Sequence, residues 1–178
     1  VTGVQTCALP ICISTRKTVY TALFACAAMG LYALESTVPP LIPIPGVKLG
    51  LANIITLITF YSLGKKEAFA QLMLRILMTA LLFGHMMTLA FSAVGGLLSF
   101  AVLCVSSKLL DESQMWATGV FCALAHNAGQ VIVAMLVTSQ AAVAYYMLFL
   151  IISSIVTGIF SGVCSRYCIK IIKKFRLI

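Results

Sequence analysis

Six apolar segments, separated by short breaks, take up almost all of this 178-residue chain. They run from Thr18 to Leu34, Lys48 to Leu63, Glu67 to Gly84, Met86 to Ser106, Met115 to Thr138 and Val143 to Tyr167. A spanning helix takes roughly 20 residues, so the length holds six spans with short loops and no soluble domain. The chain is 62% hydrophobic and 9% charged, where a soluble domain carries roughly 25% charged residues. Too few charges remain to cover a surface in water. The expected fold is therefore all-α, a polytopic membrane bundle of six transmembrane helices.

Residues 1–11, VTGVQTCALPI, read as the translation of a sequencing-adapter primer joined at Cys12. They are set aside from the fold, and residues 12–178 are expected to form a single integral membrane domain.

Orientation follows from the basic residues. Arg16 and Lys17 precede the first span, Lys65 and Lys66 lie between the second and third, and Lys108 lies between the fourth and fifth. Arg166, Lys170, Lys173, Lys174 and Arg176 follow at the end of the sixth. All fall on one side, which the positive-inside rule makes cytoplasmic together with both termini. The net charge of +8 is thus a topology signal and an attraction to anionic lipid. It is not a nucleic-acid footprint, and no nucleic-acid partner is expected.

Four of the five prolines fall in PPLIPIPGVKLGLANI, residues 39–54, which this orientation makes the first external loop. Proline fixes the backbone and removes a donor, so the loop is stiff. Leu41, Ile42, Ile44 and Val47 make it apolar, and a stiff apolar loop is expected to tuck back as a cap over the bundle. The simpler alternative is a rigid turn that orients two helices.

Arg75 lies inside the third span, where an arginine costs roughly 2.5–3.5 kcal/mol on insertion scales and must face protein or water. Gln71, one turn earlier, extends its polar strip. Glu35 is the candidate counter-ion, and Lys48 and Asn53 are expected to approach the same cavity. In the fifth span, AHNAGQ places His126, Asn127 and Gln130 mid-helix, as ligand contacts or as interhelical hydrogen bonds. For Arg75 the competing reading is a structural arginine held by backbone carbonyls.

Ala22, Cys26 and Gly30 form a small-residue stripe on the first span, and Gly158 and Gly162 a GxxxG on the sixth. No CxxC pair and no disulfide framework is legible among Cys12, Cys26, Cys104, Cys122, Cys164 and Cys168. Cys164 and Cys168, one turn apart, are read as packing residues. No metal and no cofactor is expected. There is no phosphate-cradling GxxxxGK[ST], and no Ser/His/Asp arrangement.

YALESTVPPLIPIPGVKLGLANIITL closely resembles a bacterial membrane family whose members are called Gx transporter family proteins or heptaprenyl diphosphate synthase component I. LMLRILMTALLFG, FSAVGGLLSF, AHNAGQ and SSIVTGIFSG follow in the same order. The family is similar to the substrate-binding S components of energy-coupling-factor transporters. That resemblance implies a six-helix protein of the bacterial cytoplasmic membrane that captures a small molecule beneath a first-loop lid. It implies a coupling subunit and ATPases as partners, with Ala22, Cys26 and Gly30 as the counterpart of the docking face. The ligand is expected to be anionic, matching Arg75. The enzyme name fits the residues poorly. Prenyl elongation needs aspartate-rich clusters to hold magnesium, and this chain has one aspartate, Asp111. An accessory role that binds a prenyl diphosphate without catalysing stays open as the second expectation.

Overall fold

The computed structural model describes residues 13–37, 51–83, 86–139 and 145–174. The proline block up to Gly50, with Lys48 and the expected cap, lies outside the described residues, as do His85 and residues 1–12. Six α-helices follow in order: α1 (Ile13–Thr37), α2 (Leu51–Ser62), α3 (Lys65–Phe83), α4 (Met86–Leu109), α5 (Met115–Thr138) and α6 (Tyr146–Lys174). One 3-10 turn, Glu112–Gln114, precedes α5. Among the described residues there is no strand.

Among the described residues, four helical stretches are long and apolar enough to cross a membrane: Thr15–Glu35, Leu89–Leu109, Glu112–Thr138 and Met147–Lys174. The other two helices differ for physical reasons. The 12 described residues of α2 extend about 18 Å at 1.5 Å per residue, short of the roughly 30 Å hydrocarbon thickness. α3 carries Lys65, Lys66, Glu67 and Arg75. α6 exceeds its expected end at Tyr167. Its 29 residues reach about 43 Å, so the helix outlasts a bilayer core and carries Lys170, Lys173 and Lys174 beyond it. The protein is an all-helical membrane bundle.

Glycines set the turns and the closest packing. Gly64 has φ +118° and its carbonyl accepts from the Ala68 amide at 3.1 Å, so the two-residue turn Leu63–Gly64 ends α2 and starts α3. At α5, Gly119 lies against Gly158 and Gly162 of α6. A Cβ added at Gly119 would sit 2.9 Å from the Gly162 amide nitrogen, so the two backbones touch. On the other flank of α5, a Cβ at Gly129 would fall 2.8 Å from the Gly95 Cα of α4. α4, α5 and α6 are thereby drawn into one tight layer.

α2 is the interior helix, with Ala52, Ile54, Thr56, Leu57, Ile58 and Thr59 all buried. It packs on α1, α3 and α6. Ile54 and Ile58 meet Met115 of α5 and Ile169 of α6 in one apolar cluster, and Leu57 meets Leu103 and Cys122 in a second. The outward faces are apolar too, as at Leu148, Ile152, Val156 and Phe160 of α6, which suits contact with lipid.

At the end that holds the basic residues, Lys17 pairs with Glu67 at 3.7 Å, tying α1 to α3. There Lys173 also donates to both carboxylate oxygens of Glu112, at 2.6 and 2.9 Å, tying α6 to the α4–α5 connection.

Candidate binding site around Arg75

α2 and α3 run antiparallel through the Gly64 turn, so residues of one meet residues of the other in reverse order. Asn53 and Thr56 are three apart on α2, while Gln71 and Arg75 are four apart on α3. Each spacing puts both side chains on one helix face. The result is two cross-helix pairs. Thr56 Oγ1 donates to Gln71 Oε1 at 3.1 Å. Arg75 Nη1 donates to Asn53 Oδ1 at 3.4 Å, long for a firm hydrogen bond.

Arg75 is 6% exposed and Gln71 0%. The arginine thus faces protein, as its insertion cost requires. Glu35 near the end of α1 is also buried, and its carboxylate lies within electrostatic reach of the guanidinium, together with Tyr32. Gln71 keeps its Nε2 buried with no hydrogen-bond partner among the described residues.

The diglycine of α4 joins this cluster to α5. A Cβ at Gly96 would stand 3.8 Å from Arg75 Nη2, and against the side chains of Leu72 and Ile76. A Cβ at Gly95 would stand 3.0 Å from His126 Nδ1. Adjacent glycines therefore let α4 be thin where Arg75 approaches from one side and His126 from another. A small cavity opens beside Gly96, walled by Asn53, Thr56, Ser99 and Cys122 among others, with a volume of about 10 Å³. That is room for about one water.

The structure divides the polar residues expected on the fifth span. His126 faces α4. Asn127 turns to α6, where its Nδ2 donates to Ser154 Oγ at 2.7 Å and Ser154 in turn donates to the Leu150 carbonyl at 2.6 Å. Gln130 is half-buried. Asn53, Gln71, Arg75 and Glu35 thus form one group with His126 across the diglycine, whereas Asn127 is engaged between helices. Thr56 and Ser154 were not singled out from the sequence. Thr56 stands three residues after Asn53, a spacing that points to it once α2 is known to face α3. Ser154 carries no such signal.

Ala22, Cys26 and Gly30 lie on the exposed side of α1, and a Cβ on Gly30 would meet nothing within 4 Å. The inner side is built instead from Thr21, Ala25 and Ala28. No cluster of three or more metal-ligating side chains exists among the described residues.

Fold and site together define a helical membrane protein with a buried arginine beside Asn53 and Gln71 and within electrostatic reach of Glu35. The family model for heptaprenyl diphosphate synthase component I matches residues 24–168, from within α1 to near the end of α6, and the chain belongs to that family. No curated protein and no solved structure matches the chain.

Proposed function

We propose that this chain is the membrane-embedded capture subunit of a small-molecule uptake system, of the kind formed by the S components of energy-coupling-factor transporters. The observation that carries the reading is Arg75, a cation buried in an apolar bundle with Asn53, Gln71 and Glu35 around it. Ionisable groups inside a membrane bundle mark ligand or ion sites by default. Arg75 would meet an anionic group of the ligand, with Glu35 as its resting counter-ion. His126 approaches from the other side of the Gly95–Gly96 thin point, and Lys48 and Gln130 complete the proposed set. The basic residues at one end of the bundle favour a bacterial cytoplasmic membrane with both termini in the cytoplasm. The bare outer stripe of Ala22, Cys26 and Gly30 is where a coupling subunit would dock, and separate ATPases would supply the energy.

The test is mass spectrometry of small molecules retained by the purified full chain, for the native protein and for Arg75→Met. A retained molecule that the variant loses while still folding supports the reading. Retention unchanged in a folded Arg75→Met returns Arg75 to a structural role.

The family description favours a second reading, an accessory membrane component of heptaprenyl diphosphate synthesis that binds a prenyl diphosphate without catalysing. Its one aspartate, Asp111, leaves the chain without the aspartate clusters of prenyl transfer. Co-purification separates the two. A coupling subunit and ATPases on the bait support uptake, whereas a soluble aspartate-rich prenyltransferase supports the accessory role.

A further inference from the structure

Among the described residues, Arg75 is the one buried Lys or Arg, and Glu35 is the one buried Asp or Glu. The two act on each other electrostatically across the α1–α3 contact. All the other described charges sit half-buried or exposed at the basic end of the bundle. An unbalanced charge in such surroundings is costly, so one positive and one negative group stabilise each other there.

We infer that the ligand of this site carries a single negative charge on a planar carboxylate, and that Glu35 is the resident anion which this carboxylate displaces from Arg75. The inference rests on the reading of the Arg75 cluster as a ligand site and deepens it. A carboxylate in place of Glu35 preserves the one-to-one balance at the guanidinium. A diphosphate brings two or three negative charges, whereas among the described residues Arg75 is the one buried cation and no metal-ligating cluster stands ready to offset the excess.

The donors fit the same shape. The guanidinium fork binds two carboxylate oxygens side by side. Its Nη1 makes a long contact to Asn53. Gln71 Nε2, one turn away on the same face, is a buried donor without a partner. Leu72 and Ile76 flank Gly96 beside the cluster and suit an apolar body behind the charged group.

The experiment uses the full chain in lipid nanodiscs with three probes sharing one isoprenoid tail: geranoate, geranyl diphosphate and geraniol. Geranoate is expected to bind the native chain at least about tenfold more tightly than either of the others. Glu35→Gln removes the resident competitor and is expected to tighten geranoate binding about tenfold, whereas Arg75→Met abolishes it. Tighter binding of geranyl diphosphate, or weaker binding of geranoate by a folded Glu35→Gln, overturns the inference. Should Glu35→Gln not fold, the ranking of the three probes on the native chain decides alone. If none of the probes binds, the inference is overturned. The capture reading then still stands provided a natively retained molecule is lost in Arg75→Met, and falls with it if that molecule is kept.

Discussion

Thr56 on α2 donates its hydroxyl to Gln71 Oε1 on α3 at 3.1 Å, with both side chains sealed from solvent. The pair joins the two helices that present Asn53 and Arg75 to each other. Thr56→Val strips Gln71 of its remaining partner and leaves a whole amide buried and unsatisfied. A loss of about 1–3 kcal/mol is expected. Adding Gln71→Leu removes the orphaned amide as well, and the double variant is expected to recover much of that loss. Unfolding in mixed detergent, run on both singles and the double, reads the difference. A double variant as unstable as the sum of the singles counts against the pair.

Gly119 and Gly30 offer a controlled contrast. Gly119→Ala puts a methyl against the α6 backbone at Gly158 and Gly162, so the helices must separate, at a cost of about 1–3 kcal/mol. Gly30→Ala points into open space and is expected to stay within about 0.5 kcal/mol of the native chain. Comparing their thermal midpoints checks both. If the proposed docking face is real, Gly30→Leu weakens capture of a coupling subunit while the protein remains folded.

Asn127 and Ser154 are expected to behave as interhelical glue. A double-mutant cycle with Asn127→Ala and Ser154→Ala should give a coupling of roughly 0.5–2 kcal/mol. Neither single variant should change which small molecule the purified protein retains. A retained ligand lost in folded Asn127→Ala would place that side chain in the site after all.

At Gly64 the backbone φ of +118° is a conformation that L side chains rarely adopt. Gly64→Ala is therefore strained at the hinge between α2 and α3, and a loss of about 1 kcal/mol or more is expected. Because this turn sets the register of Asn53 against Arg75, binding of an anionic probe should weaken along with stability. Titrating the probe on the folded fraction separates the two effects.

Much of this was legible in the chain itself. The apolar runs gave six helices, and α5 begins and ends where its pattern does, at Met115 and Thr138. A periodic apolar run bounded by polar breaks has few other ways to hydrogen-bond its backbone in lipid. The cost of a charge there likewise singles out Arg75 from the sequence alone. Direction around the helix was not legible. In a segment apolar on every side, periodicity does not say which face meets protein and which meets lipid. So periodicity gave no outward direction to Ala22, Cys26 and Gly30, which only the family resemblance read as a docking face, and Asn127 gave no sign of turning from His126 toward Ser154. The packing of α1 on α2 and α3 decided the first, and the packing of α5 between α4 and α6, drawn close through Gly95, Gly119, Gly129, Gly158 and Gly162, decided the second. The pairing of Thr56 with Gln71, and of Asn53 with Arg75, likewise needed the antiparallel register that the Gly64 turn imposes. Sequence determined which residues could not tolerate lipid; tertiary structure decided which neighbours relieve them, because that depends on helix rotation and close approach.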